Sequence, residues 1–149
     1  MPEQKTIFIA EDDHFLSSLL KARLERDGFA VMQAYDGEET LTLIRRKKPD
    51  LLILDLIMPK MSGFEVMQAM SIDPAISGVP VIVLSNLAQE SDVEKVRKLG
   101  AQDYFVKVKI SIDQVVNRIR AAMGLPAGTP AQTPITSTEA PMPPPQIPT

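Results

Sequence analysis

The sequence predicts an α/β domain: a five-stranded parallel sheet, doubly wound, with helices on both faces. Three observations carry this expectation. Five short apolar runs (6–10, 29–34, 51–54, 79–84 and 104–106) alternate with stretches of helical periodicity. The central runs are apolar without alternation, as befits strands buried on both faces of a parallel sheet. Five strand-then-helix units in about 120 residues imply right-handed crossovers, which put every C-terminal strand end on one edge. The expected strand order is 2-1-3-4-5.

The elements follow in order. The first run stops abruptly at Glu11-Asp12-Asp13. Phe15, Leu16, Leu19, Leu20 and Leu24 then recur at helical spacing, and Gly28 supplies a C-terminal stop. A weaker strand over 29–34 closes at Asp36-Gly37, and Leu41 and Ile44 mark a helix over 38–47 that ends before Pro49. The third strand, 51–54, runs into Asp55, and Met58-Pro59 ends any regular structure. Phe64, Val66, Met67 and Met70 suggest a helix that stops before Pro74. The fourth strand ends on Ser85-Asn86, and Val93, Val96 and Leu99 line a charged helix terminated by Gly100. The fifth strand ends on Lys107, and Ile112, Val115, Val116, Ile119 and Met123 lie on one face of the last helix.

Composition narrows the function. The 149 residues are 44% hydrophobic and 23% charged, which suits one globular domain with a segment to spare. With no cysteine, disulfides, thiolate metal sites and cysteine nucleophiles are excluded. The net charge is -3 and the basic run 45–48 sits at a helix end, where cations suit the dipole, so direct nucleic-acid binding is not expected. No window approaches the ~18 apolar residues of a membrane span, and a cytoplasmic location is the expectation. The composition shifts at Gly124: residues 124–149 hold eight of the thirteen prolines and one charge, Glu139. Residues 1–123 are therefore expected to fold as the domain. Residues 124–149 are expected to form a proline-rich, disordered tail or linker with polyproline II character.

The residues that close the strands share one rim in this topology: Glu11 and Asp12, Asp55, Ser85 and Lys107. Three carboxylates at one edge repel unless a cation neutralises them, and an all-oxygen set with room for water and phosphate suits Mg²⁺. A carboxylate can also attack phosphorus to give an acyl phosphate. The phosphoryl oxygens then need a metal, an ammonium such as Lys107 and a donor such as Ser85.

On these residues the chain resembles the receiver domain of two-component response regulators, across about residues 5–123. The fold implied is flavodoxin-like. The match rests on Glu11-Asp12, on Asp55 with the following Met-Pro and Gly63, and on Ser85, Tyr104 and Lys107, in that order and spacing. The resemblance implies phosphorylation of Asp55 from a phosphohistidine on a sensor histidine kinase or histidine phosphotransfer protein. It also implies Mg²⁺ held by Glu11, Asp12, Asp55 and the backbone carbonyl of Ile57. Ser85 and Tyr104 would move together on phosphorylation and remodel the face around the fourth helix and fifth strand, where a downstream protein would bind. Some relatives dimerise, so a homodimer is possible. The phosphorylation is stoichiometric, so no turnover enzyme is expected.

The departures are as specific as the matches. Asp13 is a third acid in a row and is expected to cap the first helix, with His14 exposed on its first turn. Asn86 stands where the family has a small residue, and Val108 where proline usually follows the lysine in a cis linkage. A non-proline cis bond costs about 3–4 kcal/mol, so that loop is expected to be trans or strained. Ile57 and Leu87, each two residues past a site group, are bulky and apolar and would exclude attacking water, giving a long-lived acyl phosphate. Two other readings are a phosphorylation-independent scaffold of the same fold and a phosphohydrolase with Asp55 as nucleophile. The second wants a carboxylate at position 57, which holds Ile57.

Overall fold

The computed structural model describes residues 4–87 and 89–126. It contains β1 (Thr6–Ala10), α1 (His14–Arg26), β2 (Ala30–Ala34), α2 (Gly37–Arg46), β3 (Leu51–Leu54), α3 (Gly63–Ser71), β4 (Val81–Ser85), α4 (Glu90–Lys98), β5 (Asp103–Val106) and α5 (Ile112–Ala122), with a 3₁₀ turn at Lys107–Lys109. The sheet is parallel throughout, in the order β2-β1-β3-β4-β5. The chain divides into two compact units, residues 1–112 and residues 113–149. The first holds the whole sheet. The second holds nearly all of α5, whose buried residues are Val115, Val116 and Ile119, and there Arg120 Nε donates to the carbonyl of Pro126. From residue 127 onward, the predicted proline-rich segment lies outside the described residues. No helix among the described residues is long and apolar enough to cross a membrane.

Burial follows the strand period. Phe8, Ala10, Leu52, Leu54, Val81 and Val83 point into one core layer, shared with Leu41 and Ile44 of α2, Val66, Met67 and Met70 of α3, and Val96 of α4. Ile7, Ile9, Leu51, Ile53, Ile82 and Leu84 are just as buried but belong to the opposite face, the one α1 covers with Leu20 and Leu24. A single apolar side chain of this size contributes about 1.5–3 kcal/mol when fully buried, which is why the inner strands are apolar except at their ends, Thr6 of β1 and Ser85 of β4.

The first helix does not bury the whole stripe that its hydrophobic spacing suggests. Phe15 is 74% exposed and Leu19 44%, while Ser17, Leu20 and Leu24 form the buried i, i+3, i+7 face. The polar member of that face is satisfied: Gln33 Nε2 of β2 donates to Ser17 Oγ at 2.7 Å. Two other boundaries shift for local reasons. Strand β4 begins at Val81 rather than at residue 79, because Pro80 has no N–H to give the ladder and contributes only its carbonyl, to Leu52 N. Strand β2 begins at Ala30 because the Phe29 N–H turns back to the Leu24 carbonyl. That bond closes a Schellman motif around Gly28 at φ +99°, and α4 ends the same way around Gly100 at φ +107°.

Candidate functional site

The C-terminal edge of the sheet brings the predicted residues together. Register sets the placement: Ala10 pairs with Leu54, so Glu11 and Asp55 leave the sheet side by side, and Ser85 pairs with Val106, so Lys107 leaves it on the far side of β4. The Asp55 N–H donates to the Ala10 carbonyl at 2.9 Å, and the Glu11 N–H to the Ala34 carbonyl at 3.1 Å. Glu11 and Asp55 are buried, whereas Asp12 is exposed at the mouth of the cleft. Carboxylate oxygens of the three acids lie within 4.8 Å of one another.

Lys107 bridges the two buried acids. Its Nζ lies 2.8 Å from Glu11 Oε1, 2.9 Å from Glu11 Oε2 and 2.9 Å from Asp55 Oδ2. The partners are 96 and 52 residues away in sequence, so only the topology could pair them. Burial pushes the Glu11 carboxyl up to about 7, against the lowering pull of Lys107 and of the Asp13 N–H and with help from the Asp55 charge. For Lys107, burial lowers the ammonium pKa, but the hydrogen bonds and charges of Glu11 and Asp55 outweigh it and the net direction is up. The Lys107–Val108 bond is trans, since no cis peptide occurs among the described residues. The loop carries a 3₁₀ turn with Val108 79% exposed, and the ammonium still reaches both acids.

The surrounding loops are fixed by close contacts. The Asp13 carboxylate caps α1, accepting from the N–H groups of Phe15 and Leu16, while the Asp13 N–H donates to Glu11 Oε2 at 3.0 Å. The Ile57 N–H donates to Asp55 Oδ1 at 3.3 Å. Ser62 and Glu65 form a capping box at the start of α3, and a Cβ on Gly63 would lie 2.2 Å from the Asp55 carbonyl oxygen. Glycine at position 63 is therefore what allows α3 to begin directly beneath the site.

Ser85 is fully buried, and its Oγ accepts from the Leu87 N–H at 3.3 Å, leaving its own O–H as the group it can offer. Tyr104 is half-buried and its hydroxyl donates to the Leu87 carbonyl. Burial raises the Tyr104 pKa, and the negative charges of Asp92 and Asp55 add to it. Tyr104 also lines a groove of about 300 Å³ with Val93, Val96 and Arg97 of α4 and Val106 of β5. Leu87 thus ties Ser85 to Tyr104 through its two backbone groups, a link that hydropathy and spacing do not show. Phe64 is a further surprise: Lys95 of α4 places its Nζ 4.5 Å from that ring centre.

The donor set fits a hard divalent cation. Three carboxylates converge, all donors are oxygen, one acid faces the opening, and an internal ammonium already balances part of the charge. The sheet order, the acidic pair, the central aspartate and the lysine at the C-terminal strand ends together define a doubly wound α/β domain with an acidic, lysine-bridged site at one edge of its sheet. Comparison with known proteins makes this specific. The family model for the response regulator receiver domain matches residues 7–120, and the chain belongs to that family.

Among curated relatives, a probable transcriptional regulator ycf27 of Porphyridium aerugineum is 36% identical over 121 residues, covering 81% of this chain and 49% of the relative. The DNA-binding dual master transcriptional regulator RpaA of Synechocystis is 36% identical, over 78% of this chain and 48% of its own length. This chain thus spans about half the length of those regulators. The polar-differentiation response regulator DivK of Brucella anthropi is 30% identical, over 80% of this chain and 97% of DivK. Among solved structures, the receiver domain of the Francisella response regulator 1452 superposes with a TM-score of 0.74 at 28% identity, covering 81% of this chain and 98% of that one. The receiver domain of sensor histidine kinase PA1611 from Pseudomonas aeruginosa, solved with magnesium coordinated in its active-site cleft, shares the fold at 21% identity with a TM-score of 0.73. That match covers 82% of this chain and 99% of that one.

Proposed function

We propose that this receiver is a phosphorylation-controlled switch that accepts a phosphoryl group on Asp55 from a phosphohistidine of a sensor kinase or histidine phosphotransfer protein. The observation that carries the reading is the Lys107 ammonium held 2.9 Å from Asp55 Oδ2 with Glu11 and Asp12 alongside. In the transfer an Asp55 oxygen bonds to phosphorus as the P–N bond to the donor imidazole breaks, and the imidazole recovers a proton from solvent. Glu11, Asp12, Asp55 and the Ile57 carbonyl would hold Mg²⁺, which supplies neutralising charge at the transferred oxygens. Lys107 turns from its two carboxylates toward one phosphoryl oxygen, and the Ser85 hydroxyl donates to another.

Withdrawal of the Ser85 hydroxyl toward phosphate loosens its bond with the Leu87 N–H. The Leu87 carbonyl is the acceptor for Tyr104, so the ring and the groove beside α4 respond together. That groove is the face offered to a downstream protein. We assign the receiver to residues 1–123 and the tail or linker to 124–149. DivK, which this chain spans almost whole, supports a stand-alone arrangement; the regulators of about twice the length support an attached output domain instead.

Intact mass after incubation with acetyl phosphate tests the reading. Wild type should gain one phosphoryl group only when Mg²⁺ is present, and Asp55→Asn should gain none. A wild-type protein that no phosphohistidine donor or acetyl phosphate modifies would favour the phosphorylation-independent scaffold.

A further inference from the structure

The three acids of the site are not held alike. Glu11 is fixed by Lys107 and the Asp13 N–H, and Asp55 by Lys107 and the Ile57 N–H. Among the described residues no hydrogen bond or ion pair holds the Asp12 carboxylate, so its position depends on the backbone that carries it. Ala34, the last residue of β2, and Tyr35, the next, contact the chain just before and just after Asp12. On one side the Ala34 carbonyl accepts from the Glu11 N–H at 3.1 Å. On the other, the Tyr35 ring stacks on the His14 ring, with centres 3.9 Å apart and planes 15° from parallel.

The same turn also braces the second loop of the site. Lys60, at φ +69°, places its Nζ 3.8 Å from Asp36 Oδ2, and a Cβ on Gly37 would lie 2.1 Å from the Met61 carbonyl oxygen. Tyr35 is itself held: its N–H donates to Glu39 Oε1 while Asp36 Oδ1 accepts from the Glu39 N–H, which fixes the turn to the first turn of α2. The His14–Tyr35 stack is thus anchored at its Tyr35 end and adjoins the acids at its His14 end.

We propose that Tyr35 is a positioning residue for the metal site, holding the loop that carries Asp12 in place by stacking on His14. The inference rests on the metal-binding reading given above. A stack that orders an otherwise untethered ligand raises affinity by removing an ordering cost from binding, in the way outer partners of metal ligands do. The phenol oxygen plays no part in this, so the ring alone should suffice.

The test is Mg²⁺ titration of the full chain by calorimetry, with amide NMR shifts of Asp12 and Asp13 as a local readout and thermal denaturation as a control. Tyr35→Ala and His14→Ala should each weaken Mg²⁺ binding by about 10-fold, while Tyr35→Phe stays within about twofold of wild type. The double variant Tyr35→Ala/His14→Ala should be no weaker than either single one, since all three remove the same contact. Should Tyr35→Ala not fold, His14→Ala decides, because its side chain is exposed. Unchanged affinity in His14→Ala and Tyr35→Ala overturns the proposal. So does a weakening that follows thermal stability and that Tyr35→Phe fails to rescue. If wild type binds Mg²⁺ and Asp55→Asn weakens it while the stack variants do not, only this inference fails. If wild type takes up no Mg²⁺, the metal-binding reading fails and carries the inference with it.

Discussion

Replacing Lys107 with methionine keeps most of the side-chain volume and removes the charge that sits between two buried carboxylates. The ammonium is close to ideal for both, at 2.8 Å from Glu11 and 2.9 Å from Asp55, and its side chain is only 17% exposed. Removing one partner from a buried ionic cluster leaves uncompensated charge and costs about 3–5 kcal/mol. For a domain of this size about 3 kcal/mol lowers Tm by about 10 °C. The cost depends on pH, and its sign follows from Glu11. The Glu11 carboxyl stands at about 7 in the folded chain against 4.5 as the ordinary value. A raised carboxyl contributes stability that is fully present below the ordinary value and is lost as pH rises through the folded one. Without Lys107 to pull it down, Glu11 rises further, so the variant leans more heavily on protonation. Thermal denaturation followed by circular dichroism in a metal chelator should therefore show a deficit of about 10 °C near pH 8 that shrinks markedly near pH 5. A deficit equal at both pH values, or none at all, would refute the claim that Lys107 compensates the charge of the buried Glu11 carboxyl.

Other outcomes follow from the packing and from the mouth of the site. Gly63→Ala places a methyl 2.2 Å from the Asp55 carbonyl oxygen, and chemical denaturation should show a loss of about 1–3 kcal/mol or more. Gly28→Ala meets no atom within 4 Å and carries only the left-handed backbone penalty of about 1–2 kcal/mol. Ile57 is 56% exposed beside Asp55, and Leu87 stands next to the Ser85 hydroxyl. Neither side chain can orient water, so replacing Ile57 with Asn and Leu87 with Glu should accelerate loss of the acyl phosphate, followed as decay of the phosphorylated mass. An unchanged decay rate would contradict the role given to these two side chains.

The strand ends were legible because topology does most of the work. Once five strand-helix units are read as right-handed crossovers, Glu11, Asp55, Ser85 and Lys107 must share an edge, whatever their separation in sequence. Asp13 as a helix cap was readable for a similar reason: its chemistry is local and its partners lie two and three residues away. Side-chain pairings across elements were not readable. Ser17 occupies a buried position that an apolar count assigns to Phe15 or Leu19, because Gln33 satisfies it from the neighbouring strand. The His14–Tyr35 stack and the Tyr104–Leu87 hydrogen bond likewise join residues whose proximity depends on how loops close, and loop closure leaves no periodic trace. The trans bond after Lys107 resolves a choice that residue identity at 108 left open, and shows the lysine reaching its acids without a proline behind it.

One residue, Asp55, is the expected acceptor of the phosphoryl group. Borohydride reduces an aspartyl phosphate to homoserine, so the phosphorylated chain can be trapped, digested and sequenced by mass spectrometry. The site described here predicts homoserine at position 55 in wild type treated with phosphodonor and Mg²⁺, and aspartate there in the untreated chain. Homoserine at position 12 instead, or a phosphorylated chain with position 55 unmodified, would contradict it.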